Sequence, residues 1–152
     1  MESLLSTFYK ALAEGNLETL STCYSKKNQF SDPAFGDLQG PQVMDVWTFL
    51  LSKGGENLQV ETEVIYEESL SAAGQWGAKY PFGSKKRPVT NGITATFVIE
   101  DRKIVTHHDV FDLWKWSSQA LGLPGMLMGW SPWFATKLRG KFRKTLFTKS
   151  NG

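Results

Sequence analysis

Val89-Thr90-Asn91-Gly92-Ile93-Thr94-Ala95-Thr96-Phe97-Val98-Ile99 alternates residue by residue, with Val89, Asn91, Ile93, Ala95, Phe97 and Ile99 on one side and Thr90, Gly92, Thr94, Thr96 and Val98 on the other. Successive side chains of a strand point to opposite faces, so the stretch predicts a strand with one largely apolar face on a core and a threonine-rich face turned away. Asn91 is the polar exception on the apolar side.

The same period holds upstream, in Leu58, Val60, Thr62, Val64, Tyr66 and then in Leu70, Ala72, Gly74, Trp76, Ala78, Tyr80. These are antiparallel strands, with Pro81-Phe82-Gly83-Ser84-Lys85-Lys86-Arg87-Pro88 as a basic loop at a hairpin end. A last strand covers 103–112. A two-residue primed turn at Asp101-Arg102 wants glycine or asparagine in left-handed positions, so a three-residue loop of Glu100, Asp101 and Arg102 is expected instead. That loop pairs Phe97 with Val105, Ala95 with His107 and Ile93 with Asp109, turning His107 and Asp109 inward. A one-residue slip would present Thr106 and His108 instead.

Before residue 58 the period is helical. Leu4, Leu5, Phe8, Tyr9 and Leu12 form one stripe up to Glu14-Gly15, and Asn16 caps a second short helix carrying Leu17, Leu20 and Tyr24. Lys26-Lys27-Asn28 breaks the pattern. Gln29-Phe30-Ser31 is a short strand running into Asp32-Pro33, where proline holds Asp32 extended. Gly40-Pro41 opens a third helix with Val43, Met44, Trp47, Leu50 and Leu51 buried, ended by Gly54-Gly55. Helices followed by a run of strands make an α+β fold, with three helices packed on one side of a curved antiparallel or mixed sheet.

After Phe111-Asp112, residues 113–121 read as a short helix ended by Gly122, Leu123-Pro124-Gly125-Met126 as a turn, and Ser131-Pro132 as the start of a final helix. In that helix Phe134, Leu138, Phe142 and Leu146 recur at four-residue steps among Lys137, Arg139, Lys141, Arg143 and Lys144. The apolar Met126-Leu127-Met128-Gly129-Trp130 suits a lid or a dimer contact.

The 152 residues fit one domain, large enough to bury a core without disulfides or structural metal. Cys23, the single cysteine, excludes an internal disulfide and a cysteine-based zinc site, and fits a reducing compartment. No basic segment leads into a long apolar run, and the chain is read as cytoplasmic. The net charge of +2 conceals an asymmetry: residues 1–112 hold 10 basic and 15 acidic side chains, and 113–152 hold seven basic and none acidic. A surplus confined to one short segment argues for a local basic face, not for nucleic-acid binding. The final helix is expected to pack on the domain or on a second subunit, in preference to a membrane surface.

Phe8-Tyr9 followed by Gly15, Phe30-Ser31-Asp32-Pro33-Ala34-Phe35-Gly36, Leu38 with Gly40, and Lys103-Ile104-Val105 followed by Asp109-Val110-Phe111-Asp112 together resemble the nuclear transport factor 2 superfamily. This is the group of ketosteroid isomerase, scytalone dehydratase, limonene epoxide hydrolase and the SnoaL-like polyketide cyclases, and the SnoaL-like branch is the nearest. The resemblance covers roughly residues 4–120. It implies a cone-shaped α+β barrel domain over 1–122 with a C-terminal basic helical extension over 123–152. Asp32 falls where ketosteroid isomerase keeps its general base, while Phe8 and Ala95 occupy the positions of its oxyanion partners. Asp109 falls on the final-strand aspartate of limonene epoxide hydrolase, whose other charged groups are replaced by Trp76 and Ala78, so that reaction is not expected.

The candidate catalytic residues are therefore Asp32, Asp109 and His107, in a pocket with Phe8, Phe30, Trp47, Trp76, Tyr80, Asn91 and Phe97 against a ligand. A carboxylate desolvated between aromatic walls has its pKa raised towards neutrality, as a general base near pH 7 requires. The plainer alternatives are a local turn for Asp32 and a satisfied hydrogen bond for Asp109. His107 and His108 are adjacent on a strand and point to opposite faces, so no metal site is expected, and no cofactor is implied. The expected functions are carboxylate proton transfer on a hydrophobic ring or polyketide-like substrate, as in an isomerase, cyclase or lyase, or non-catalytic binding of an apolar ligand or a protein partner. The expected partners are a hydrophobic small molecule and a second copy of the chain.

Overall fold

In the computed structural model, α1 (Leu4–Glu14) and α2 (Leu17–Cys23) lead into β1 (Tyr24–Asp32), β2 (Gly36–Gln39), α3 (Pro41–Gly54), β3 (Gln59–Glu67), β4 (Ser71–Phe82), β5 (Arg87–Glu100) and β6 (Lys103–Val110). Three helices follow: α4 (Leu113–Leu121), α5 (Leu123–Met128) and α6 (Pro132–Ser150). The structure describes residues 3–54, 57–83, 85–128 and 131–150. Gly55, Ser84, Gly129 and Trp130 lie outside the described residues, as do the side chains of Met128 and Leu146.

The six strands form one curved sheet in the order β2-β1-β6-β5-β4-β3. β1 runs parallel to β6 and every other pairing is antiparallel. The inner face of β4 and β5 buries Ala72, Trp76, Ala78, Ile93, Ala95 and Phe97 against Leu5, Phe8, Leu12, Val43, Val46 and Trp47 of the helices. Helix α1 starts where the Ser3 hydroxyl accepts the Ser6 N–H and stops at Gly15 in the left-handed region. At Gly74 a Cβ would meet the Tyr9 hydroxyl at 2.4 Å, so glycine is what lets α1 lie this close to β4. This is the α+β architecture that the periodicities imply.

Several local expectations are corrected. The β5–β6 connection is the two-residue turn: Asp101 and Arg102 take φ of 50° and 61°, and Glu100 pairs with Lys103. The match of such a turn to strand twist outweighs the cost of two left-handed residues. A two-residue turn alone would turn Thr106 and His108 inward. The register slips by one residue at Val105, between the Ile99–Ile104 and Val98–Thr106 pairs, so Phe97 faces His107 and Ala95 faces Asp109. The inward aspect of His107 and Asp109 thus depends on that bulge.

Lys26-Lys27-Asn28 does not end regular structure. It lies inside β1, in the irregular stretch between the Tyr24–Ile104 and Gln29–Thr106 pairs, where the Asn28 carbonyl accepts the Gly40 N–H. Tyr24 is not helical: α2 stops at Cys23 and Tyr24 is already extended. Residues 36–39 form a further strand, and Leu123-Pro124-Gly125-Met126 belongs to a short helix, not a turn.

The final helix packs on the domain. Leu138 joins Val89, Trp116 and Ala120 in a second apolar cluster, and Phe142 packs against Phe35 and, edge-on, Trp116. No helix among the described residues is long and apolar enough to cross a membrane.

Candidate functional site

The interior of the cone holds a cavity of about 670 Å³ between the sheet, α3 and the C-terminal helices. Phe30, Trp47, Trp76, Ala78, Tyr80, Asn91 and Ile93 form much of its wall, and Asp32 and Asp109 are its two carboxylates. Phe82, Trp116, Lys86, Lys141 and Phe142 also line it. Trp116 donates its indole N–H to the Tyr80 hydroxyl at 2.7 Å and meets Phe82 and Phe142 edge-on.

Phe8, Phe97 and His107 stand behind this wall. Phe8 and His107 are fully inaccessible, and the His107 ring is packed among Phe8, Phe30, Trp47 and Phe97, the last with centroids 4.4 Å apart. Phe8 and Phe97 thus pack against the imidazole and are not among the residues that line the cavity.

His107 is bonded at both ring nitrogens. Trp47 donates its indole N–H to the Tyr24 hydroxyl at 2.9 Å, the Tyr24 oxygen lies 2.7 Å from His107 Nδ1, and His107 Nε2 lies 2.7 Å from Asp109 Oδ1. The assignment that gives every donor an acceptor has Tyr24 O–H donating to Nδ1 and the imidazole Nε2–H donating to Asp109. Burial pushes the Tyr24 hydroxyl well above its ordinary range, which keeps its proton available for donation. Asp109 is almost fully enclosed and keeps a side on the cavity. His108, on the other face of β6, is exposed and bonds Ser31.

Asp32 ends β1. Its carboxylate accepts the Phe35 N–H, so it caps the β1–β2 turn and faces the cavity at once. Burial raises its pKa to about 7, with the Asp109 charge acting in the same direction and the N–H groups of Phe35, Ala34 and Gly36 pulling it down. The turn itself is held from α6: Arg139 donates to the Pro33 carbonyl, and Arg143 donates to those of Phe35 and Asp37.

Four buried donors have no partner among the described residues, the Tyr9 and Ser117 hydroxyls, the Trp76 indole N–H and the Arg139 Nε–H, and of these four residues Trp76 lines the cavity. Burial, with the charge of Asp109 adding to it, pushes the Tyr9 hydroxyl far above its ordinary range. Among the described residues no three His, Cys, Asp or Glu side chains converge as metal ligands would.

Sequence reasoning missed Tyr24, Trp116 and Phe142. Tyr24 sits at helical spacing from Leu17 and Leu20, which conceals the strand start. The four-residue repeat of α6 does single out Phe142 as buried, although nothing in it says that the neighbour is a cavity.

A family model described as a SnoaL-like domain matches residues 5–107. Among solved structures the chain is similar to IdmH of Streptomyces antibioticus, a candidate polyketide cyclase, at 18% identity over 79% of this chain and 96% of that one, TM-score 0.65. It is also similar to a Catenulispora acidiphila protein of ketosteroid isomerase-like fold solved with trimethylamine, at 17% identity over 85% and 97%, TM-score 0.64. An LEH-like epoxide hydrolase of M. tuberculosis matches at 16% identity over 82% of this chain and 92% of that one, TM-score 0.58. These likenesses establish the fold. No curated protein matches the chain.

Proposed function

The chain belongs to the SnoaL-like domain family, and from that premise we propose that it is a proton-transfer enzyme of isomerase, cyclase or lyase type acting on a hydrophobic ring or polyketide-like substrate. The observation that carries this reading is that Asp32 and Asp109 share one largely aromatic cavity, with the pKa of Asp32 held at about 7. A carboxylate at that value is ionised in substantial part at neutral pH and still basic enough to accept a proton from carbon.

Asp32 takes the proton from a carbon next to a substrate carbonyl, and the electron pair of the C–H bond moves onto the carbonyl oxygen. The buried N–H of Trp76 is the donor for that oxygen, in place of the oxyanion partners replaced at Phe8 and Ala95. Protonated Asp32 then returns the proton to a different carbon, which completes an isomerisation. His107, through its bond to Asp109, keeps the second carboxylate fixed on the cavity. The substrate needs no charged group in the apolar part of the cone.

The test is deuterium incorporation at the acidic carbon of hydrophobic ring ketones, followed by mass spectrometry, with D32N and D109N alongside. Exchange lost in D32N while ligand binding persists supports the reading. Ligand-induced thermal shifts with no exchange in any protein would leave a binding module, a reading favoured by the Phe35 N–H bond that gives Asp32 a turn-capping role. The protein acts as a homodimer in the cytoplasm on this proposal, joined through the outer sheet face where Val98 and Val110 are exposed.

A further inference from the structure

The C-terminal helices carry an apolar surface that the core does not use. Leu123, Met126 and Leu127, at one-turn spacing on α5, are 65%, 51% and 62% exposed. Helix α5 is seated tightly on α4: a Cβ at Gly125 would fall 2.0 Å from the Ser117 carbonyl, and Trp114 donates its indole N–H to the Met126 carbonyl. These contacts place half-exposed Trp114 beside the α5 residues in one patch. At the start of α6, Trp133 is also exposed, and the Lys137 ammonium sits 4.2 Å from its ring centroid. Lys115 is exposed next to Trp114.

We propose that α4, α5 and the start of α6 form a docking surface for an anionic phospholipid membrane. Exposed tryptophan, leucine and methionine together with exposed lysines match a bilayer interface, where apolar side chains enter the acyl boundary and cations meet the headgroups. Residues 113–138 carry Lys115 and Lys137 and no acidic side chain, so the complement of this surface is negative. A second copy on the same patch would set lysines against their own like charges, which argues against self-association there. The surface differs from the α6 stripe that packs inward: it lies mainly on α5. Because Trp116 of α4 and Phe142 of α6 line the cavity, the same helices join the membrane face to the apolar interior. A lipophilic ligand then has a short path between bilayer and cone.

The experiment is co-sedimentation of the full chain with phosphatidylcholine vesicles, with and without phosphatidylglycerol, at low and high salt. Binding is expected only with the anionic lipid, weakened by salt. It should fall roughly ten-fold in L123E/L127E with the melting temperature unchanged. A second variant, K115E/K137E, tests the electrostatic part without touching α5 and should reduce binding to the anionic vesicles alone. No sedimentation of the wild-type chain at low salt, or sedimentation indifferent to both variants, overturns the proposal. A native dimer that becomes monomeric in L123E/L127E, with no vesicle affinity in either protein, also overturns it and assigns the patch to a second copy.

Discussion

His107 Nε2 lies 2.7 Å from Asp109 Oδ1, two residues further along the inner face of β6. Residues at that spacing on one strand point the same way, and the packed aromatic shell leaves the imidazole no room to turn. The bond therefore orients Asp109 from behind, with Tyr24 and Trp47 completing a chain of buried hydrogen bonds. Tyr24→Phe is expected to destabilise the protein by about 2–4 kcal/mol, because it leaves His107 Nδ1 and the Trp47 N–H buried without partners. Denaturant unfolding checks this. Asp109→Asn keeps an acceptor for His107 and should cost far less stability, so any loss of turnover in it reports the missing carboxylate.

Asp32 gives stability an opposite pH dependence from a salt-bridged aspartate. Its folded pKa of about 7 lies above the ordinary carboxylate value, so the folded state holds the proton more tightly than the unfolded chain. Stability from this group is full below about pH 4 and is lost as pH rises through about 7. Asp32→Asn, which keeps the acceptor for Phe35, should leave the melting temperature near pH 4 unchanged. At pH 8 it should stabilise by about 1–3 kcal/mol, allowing for the partial exposure of the site. If Asp32 is the base, turnover in the wild type rises with pH to a plateau above about 7, and this limb disappears in the variant.

Much of this architecture is legible in the chain. The alternation at 89–99 and the helical stripes before residue 58 depend on burial of one face, and burial leaves a periodic trace. The bulge at Val105 leaves none: a one-residue slip of register alters which side chains face inward without altering composition, so the inward pair His107 and Asp109 is reached from the residues by way of a different turn. Tyr24 is illegible for a related reason, since a residue just past a helix keeps helical spacing. The relation of Trp116 and Phe142 to Asp32 depends on how α6 lies across the β1–β2 turn, a long-range contact with no local signal.

That contact is testable. Arg139 and Arg143 hold carbonyls of residues 33–37 from α6, so R139A/R143A is expected to loosen the Asp32 turn and move the pH limb of turnover. The same double variant should change ligand affinity less than turnover. An unmoved limb in a folded variant would confine both arginines to a stabilising role.

Trp76→Phe separates donation from packing. The substitution keeps an aromatic surface on the cavity and removes the indole N–H that lacks a partner among the described residues, so binding of apolar ligands without a carbonyl should be nearly unchanged. Turnover should fall by about 10²-fold or more if that N–H donates to the developing oxyanion.

The two faces of α6 predict opposite outcomes for two large side chains on one helix. Leu138 is 8% exposed, within the cluster of Val89, Trp116 and Ala120, whereas Trp133 is 55% exposed. Leu138→Ala removes buried methyl groups and leaves a void against β5 and α4, so it should cost about 2–4 kcal/mol. Trp133→Ala removes a larger side chain whose surface already meets solvent and Lys137, so it should shift stability by about 0.5 kcal/mol or less. Deletion of 132–150 should go further than Leu138→Ala, because it also removes Phe142 from the cavity wall and the two arginines from the Asp32 turn. Thermal unfolding of the three proteins checks the order. Equal losses from Leu138→Ala and Trp133→Ala would mean that α6 is not seated on the domain by this face.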